Sequence, residues 1–180
     1  MKNKYNPEIR HRRSIRLRGY DYSQAGAYFV TICTWNRECL FVDVVGRDLL
    51  LNEFGRAAEM GWLTTSLIRP NIELDEYIVM PNHLHGIVVI NDYRGVLQYA
   101  PIQKGLKSPS QTLGAIIRGF KSSVTKTINE MRDTAAIPVW QHNYYEHIIR
   151  NEDELNRIRE YIINNPLQWS EDENNPLNIK

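Results

Sequence analysis

Two histidines, His83 and His85, stand at i, i+2 within Val79-Met80-Pro81-Asn82-His83-Leu84-His85-Gly86-Ile87-Val88. Successive side chains of a β-strand point to opposite faces, so this spacing sets two imidazoles side by side and turns Leu84 to the other face. Ring nitrogens placed in that way can hold one metal ion. The chain has five histidines in all, and two of them are spent here. A bare His-x-His pair is not diagnostic, because such pairs also occur in amidohydrolase barrels, in cupin-like sheets and as ordinary exposed strand residues. Gly86 would let another backbone, or a bound strand, come close. A second chemical group lies near the C-terminus, in Arg157-Ile158-Arg159-Glu160-Tyr161-Ile162-Ile163-Asn164-Asn165-Pro166. Tyr161 and Asn165 are i, i+4 and share a helical face. Read alone, a tyrosine at the edge of a buried stripe is a core residue with its hydroxyl in water.

Other chemistries are excluded. The two cysteines, Cys33 and Cys39, are too few for a disulfide framework and lack metal-ligand spacing. They read as small hydrophobes in a reducing compartment, and a mid-strand Cys33 as an inert thiol. A structural zinc site needs four Cys or His ligands. An amidohydrolase barrel needs roughly 250 residues. There is neither a P-loop nor a dinucleotide fingerprint.

These groups must be positioned by the elements around them. Residues 27–34 (AYFVTICT) are β-branched and aromatic, a buried strand. From Asp48 to Ile68 apolar groups recur at helical spacing, and Pro70 stops the run. Ile72 to Val79 and His85 to Ile90 are strand-like and joined by Pro81-Asn82 turn chemistry, which predicts sequential antiparallel strands. Residues 91–110 read as a long polar loop. A helix follows, with Ser110 as its expected N-cap and Leu113, Ile116, Ile117, Phe120, Val124, Ile128 and Met131 on one face. Arg118, Lys121, Lys126 and Arg132 fall off that stripe and make a basic, solvent-facing surface. An aromatic strand covers VWQHNYYEHIIR, and Glu152 to about Asn164 forms a third helix with Leu155, Ile158 and Ile162 inward. The end, SEDENNPLNIK, reads as polar and frayed. The order predicts an α+β domain, a ferredoxin-like antiparallel sheet with helices packed on one face.

With 180 residues, 42% of them hydrophobic and 24% charged, the chain suits a single domain with a real core. Residues 1–20 read as a basic arm, 21–170 as one folded domain and 171–180 as a polar tail. Neither a signal peptide nor a membrane span is evident, so the expected location is the cytoplasm. Lysines and arginines number 22 against 21 aspartates and glutamates, a net charge of +1. The sum hides segregation: residues 1–20 carry +6, residues 21–103 carry −5 and residues 104–132 carry +5. That pattern points to contact with a polyanion such as nucleic acid.

Taken together, two strand histidines, a helical tyrosine, an amide one turn beyond it and basic patches on a small α+β domain resemble the single-tyrosine HUH (His–hydrophobic–His) transposases. The closest resemblance is to the REP-associated tyrosine transposase branch. It rests on ELDEYIVMPNHLHGIVVI (residues 73–90), on VWQHNYYEHIIRNEDELNRIREYIINNPLQW (residues 139–169) and on the early TICTWNR strand, and it covers most of residues 27–169. The resemblance implies that Tyr161 attacks a phosphodiester of single-stranded DNA, leaving a 5′-phosphotyrosine link and a free 3′-hydroxyl. It implies that His83, His85 and Asn165 hold one Mg²⁺ or Mn²⁺, although paired imidazoles by themselves would suit Zn²⁺ or Mn²⁺. Some members of the broader family carry Gln where this chain has Asn165. Tyr144 and Tyr145 are rival nucleophiles by residue type, but their setting beside Trp140 reads as core or base-stacking surface. Arg12, Arg13, Arg16 and Arg18 of the arm, with Arg118, Lys121 and Lys126, would track phosphates. The implied partner is a single-stranded DNA hairpin, with no membrane, and the implied assembly is a monomer or a homodimer. The implied activity is nicking and rejoining in DNA transposition. The alternatives are a catalytically silent hairpin-binding protein on the same fold, and a plasmid-type replication initiator, which would usually bring more chain.

Overall fold

A computed structural model of the chain describes residues 20–45, 48–91, 112–172 and 174–178. Four strands form one antiparallel sheet: β1 (Gly26–Cys33), β4 (Ile72–Met80), β5 (His83–Ile90) and β6 (Tyr145–Ile149), in the order β4-β5-β1-β6. β2 (Val42–Val45) and β3 (Asp48–Leu51) pair with each other in a separate ribbon. Three helices complete the fold: α1 (Glu53–Leu67), α2 (Leu113–Met131) and α3 (Glu152–Asn164). With α1 between β1 and β4, and α2 between β5 and β6, the layout is the expected ferredoxin-like one.

The sheet alternates as its sequence demands. Tyr28, Val30, Ile32, Leu84, Val88 and Ile90 face α1 and α2, where Trp62, Ile116, Ile117, Phe120, Val124 and Ile128 close the main core. Phe29, Ile87 and Ile149 face the other way and are covered by Ile162, with Leu155 and Ile158 packed beside them. The helices expected on one face therefore divide: α1 and α2 share that face, and α3 lies across the opposite one. The second face carries apolar groups of its own and has to be shielded from water. His83 and His85 project from this second face.

Several local expectations change. The apolar run expected to begin a helix at Asp48 starts as strand β3. Asn52 then caps α1, its side chain accepting hydrogen bonds from the amides of Phe54 and Gly55, so the helix starts only at Glu53. The second helix is capped by Thr112, whose hydroxyl accepts from the amide of Ala115; Ser110 lies outside the described residues. Met131, expected on the buried stripe, is half exposed at the helix end. Only Tyr145–Ile149 of the aromatic segment is strand, and Trp140 makes an isolated bridge to Thr34. Gly86 does admit a close neighbour, but that neighbour is the indole of Trp62, which occupies the space where a Cβ would stand. The arm up to Gly19, with Arg12, Arg13, Arg16 and Arg18, and loop residues 92–110 lie outside the described residues. Among the described residues no helix is long and apolar enough to cross a membrane.

Candidate functional site

The site is built where β5 runs through the sheet interior. Antiparallel register sets His83 opposite Cys33 and Met80, and His85 opposite Thr31 and Ile78. Both imidazoles are buried, and their Nε2 atoms lie 3.0 Å apart. Each Nδ1 has a partner: Asn82 Oδ1 at 2.9 Å for His83, and Thr31 Oγ1 at 2.8 Å for His85. The Asn82 amide cannot be reversed, because its Nδ2 donates to the carbonyls of Arg37 and Asn174. Its Oδ1 therefore accepts, and His83 Nδ1 must carry the proton, which leaves the Nε2 lone pair free. The Thr31 hydroxyl can donate or accept, so His85 can present either tautomer.

Burial pushes both imidazoles down to about 3, with Arg37 adding to the effect at His83 and His83 adding to it at His85. They are neutral at pH 7, the state in which imidazole binds metal. Two ligand atoms each about 2.1 Å from an ion and about 90° apart stand about 3.0 Å from one another, so the observed pair fits adjacent positions of an octahedral site. Asn165 is buried, and its Oδ1 accepts no hydrogen bond among the described residues. An oxygen left unpaired in that way costs about 1–3 kcal/mol unless something else engages it. Asp172, from the segment beyond α3, brings Oδ2 to 3.9 Å from His83 Nε2. The donor atoms of His83, His85 and Asp172 all lie within 4.8 Å of one another, a grouping that could hold a metal ion.

α3 delivers the tyrosine. Asn151 caps it by accepting from the amide of Glu154, and the Glu154 carboxylate accepts from the amide of Arg150 and meets His147 Nε2 at 2.8 Å. Arg159 then grips Asp75 on β4, with Nε to Oδ1 at 2.9 Å and Nη2 to Oδ2 at 2.6 Å. This two-pronged bond holds the Asp75 carboxyl below its usual range. So anchored, α3 sets the Tyr161 hydroxyl 3.3 Å from His85 Nε2, with the tyrosine ring edge-on to those of His85 and Phe29. Tyr161 is 41% exposed, open enough to meet a substrate.

A cleft of about 470 Å³ opens beside these groups, lined by Thr31, Arg37, His85, Gln141, Tyr145 and Tyr161 among others. Tyr145, the rival nucleophile, stands in the same cleft, edge-on to Phe29 and 42% exposed; Tyr144 also lines it and packs partly against the main core. The expected basic surface is dispersed. α2 lies on the face of the sheet away from the histidines, and there Arg118 and Lys126 are exposed, with Lys126 at 3.8 Å from Glu130. Lys121 is only partly exposed. Its ammonium donates to the carbonyls of Gln141 and Asn143 and sits over the Tyr144 ring, and burial lowers it to about 8.

Sequence reading missed Asn82, Thr31, Arg37 and Asp172. Asn82 had a signal, since it directly precedes the histidine pair. Cys33, read as an inert mid-strand thiol, is opposite His83 in register and lines the cleft. Cys39 is exposed rather than a core hydrophobe. The segment expected to fray instead packs back: Asp172, Asn174 and Asn175 are buried. Asn174 accepts from Asn82 through its carbonyl and from Arg37 Nη1 through its side chain.

No protein-family model matches the chain. An uncharacterised protein of Haemophilus influenzae (strain ATCC 51907 / DSM 11121 / KW20 / Rd) is 43% identical over 178 residues, covering 96% of this chain and 98% of the relative. Among solved structures, the REP-associated tyrosine transposase bound to a REP hairpin matches with a TM-score of 0.57 and 21% identity, over 85% of this chain and 73% of that one. With that identity across nearly the whole of both chains, this protein and the Haemophilus influenzae protein belong to one family, and its fold is the one seen in the REP-associated tyrosine transposase.

Proposed function

We propose that this protein is a metal-dependent single-stranded DNA endonuclease and strand transferase. In this reading it nicks at hairpin elements through a 5′-phosphotyrosine intermediate and acts in DNA transposition. The observation that carries the reading is the convergence of Tyr161 with the histidine pair: a phenol 3.3 Å from one of two neutral imidazoles whose Nε2 atoms are 3.0 Å apart. Phosphodiester transfer asks for a nucleophile and a neighbouring means of neutralising phosphate charge, and these residues supply the first and the ligands for the second.

His83 and His85 would hold one Mg²⁺ or Mn²⁺ through Nε2, with Asn165 Oδ1 as a further ligand. A bound ion would supply polarisation of the scissile phosphate and stabilisation of the charge that grows on its oxygens. Tyr161, open to solvent, gives up its phenolic proton to water, the same solvent pool that returns one to the leaving oxygen, and its oxygen attacks phosphorus in line. The Tyr161 O–P bond forms as the P–O3′ bond breaks, and the departing 3′-oxygen takes up a proton as the free hydroxyl. The bond energy is retained in the phosphotyrosine, so a second strand's 3′-hydroxyl can reverse the step without ATP. Thr31 and Asn82 hold the imidazoles in orientation throughout. Arg37 stands in the cleft where a phosphate would pass. Arg118 and Lys126, with the arm arginines Arg12, Arg13, Arg16 and Arg18, would contribute sequence-blind phosphate contacts. Lys121, occupied with its own chain, serves that purpose less well.

The hairpin held by the structurally similar transposase supports DNA hairpins as the substrate class. The test is incubation of hairpin-bearing single-stranded DNA with Mn²⁺ or Mg²⁺, with the protein separated under denaturing conditions. Wild type should form a covalent protein–DNA adduct, and Tyr161→Phe should form none while still binding the hairpin. An adduct that persists in Tyr161→Phe and disappears in Tyr145→Phe would reassign the nucleophile. Hairpin binding with no adduct in any metal would make this a silent binding protein.

A further inference from the structure

The metal site proposed above leaves one short-range arrangement unexplained, and this inference rests on that reading. Asp172 Oδ2 lies 3.9 Å from His83 Nε2 in a pocket where the imidazole is fully buried and the carboxylate side chain is 3% exposed. This is not an ordinary histidine–carboxylate pair. His83 has spent its one proton on Asn82 Oδ1, so its Nε2 presents a lone pair toward the carboxylate. Two acceptors that face each other repel, and burying a carboxylate costs several kcal/mol unless charge and hydrogen bonds offset it. A cation between them removes both penalties. The carboxylate is also held for the purpose: its other oxygen, Oδ1, accepts from the amide of Asn174 at 2.5 Å. Asn174 is pinned in turn by Asn82 and Arg37, and Asn175 Nδ2 donates to the carbonyl of Trp169.

We propose that Asp172 is a ligand of the metal site, so that the ion is held by two imidazoles and a carboxylate delivered by the segment beyond the tyrosine helix. Two neutral imidazoles and a neutral amide leave a divalent ion with its full charge in a buried pocket. A carboxylate halves that charge and supplies the hard oxygen that Mg²⁺ and Mn²⁺ prefer. Asn165 Oδ1 remains available as a neutral fourth donor. The same clasp links the ligand to the orientation of its neighbour: Asn82 holds His83 with one end of its amide and Asn174 with the other. Metal loading would therefore stiffen the C-terminal segment as well as the histidine strand.

The test is direct Mn²⁺ binding to the full chain without DNA, read by calorimetry and by loss of the free-ion paramagnetic resonance signal. Asp172→Asn removes the charge and keeps an oxygen to accept from the Asn174 amide, so it should fold as wild type does in chelator. Its Mn²⁺ affinity should fall at least about tenfold, the scale on which neighbouring-ligand changes act. In the wild type, which needs no variant to fold, Mn²⁺ should broaden the carboxyl carbon resonance of Asp172 beyond detection. Wild-type affinity in Asp172→Asn, or an Asp172 resonance untouched by Mn²⁺, together with loss of binding in His83→Ala, would overturn this inference and leave the two-histidine site standing. Absence of Mn²⁺ binding by the wild type would overturn the metal reading itself, and this inference with it.

Discussion

The nitrogen an imidazole leaves with a lone pair is set by the hydrogen bond its other nitrogen makes, and at His83 that bond goes to one amide. Asn82 donates twice through Nδ2 and accepts once through Oδ1, so its orientation is fixed by its neighbours. The cost of assembling such a site appears in its pH response. Both histidines are held near 3 in the folded chain by burial, against the ordinary 6.5. Between those values the unfolded chain takes up protons that the folded chain refuses, so acid favours unfolding. In chelator, stability should be level above about pH 6.5 and decline steadily toward pH 3. Asp75, held low by Arg159, adds to the decline once the pH passes below its ordinary 3.8. Urea midpoints measured at pH 7, 5.5 and 4.5 check this. A midpoint that does not move across that range would show that the imidazoles titrate normally and are not buried as described.

Among the elements, β5 has to satisfy two masters. One face carries the histidines and the other must accept α1, and Gly86 is where the second demand is tightest, with the Trp62 indole lying directly over it. Its glycine serves helix packing and not the approach of a bound strand. Gly86→Ala should therefore destabilise the fold by about 1–3 kcal/mol, the usual cost of overpacking a filled core. For a chain of this size that corresponds to a drop in Tm of about 2–4 °C for each kcal/mol. An unchanged Tm would mean that the indole moves aside freely. α3 is positioned differently, through polar contacts at its start and its middle: the Asn151 cap with Glu154, and the Arg159–Asp75 bond to β4. Beyond them Ile162 supplies the apolar contact. The tyrosine is thereby aimed by a helix that is anchored on both sides of it.

At the scale of the whole molecule, the site is assembled from one chain. Tyr161 meets His85 of its own sheet at 3.3 Å, and Arg159 ties the same helix to the chain's own β4. Mixing His83→Ala with Tyr161→Phe protein should therefore restore no covalent adduct with hairpin DNA. Adduct formation in the mixture would show that subunits exchange the tyrosine helix. The charge segregation along the chain resolves less simply. α2 carries Arg118 and Lys126 on the side of the sheet away from the histidines, and among the described residues the cation lining the cleft is Arg37, from the acidic stretch of the sequence. Local placement counts for more than the sign of a segment.

Much of this was legible without coordinates. Period-two spacing put His83 and His85 on one face, period-3.6 spacing put Tyr161 and Asn165 together, and Pro70 and Pro166 marked helix ends, because each of these depends only on local backbone geometry. The strands β1, β4 and β5 could be read from their β-branched runs. The β2–β3 ribbon could not, since its leucines also satisfy a helical template until Asn52 takes the first amides of α1. The face that α3 covers was hidden too, because a helix stripe states that it is buried but not against what. Asp172, Asn174 and Asn175 looked like solvent-loving tail. Polar residues are read as exposed unless partners are visible, and for Asp172 and Asn174 the partners His83, Asn82 and Arg37 lie about 90 to 140 positions earlier. The sequence by itself determined which residues could do chemistry and which elements would carry them. Tertiary structure alone decided which of them meet, because hydrogen bonds and ligand contacts act over about 3 Å of space, whatever the distance along the chain.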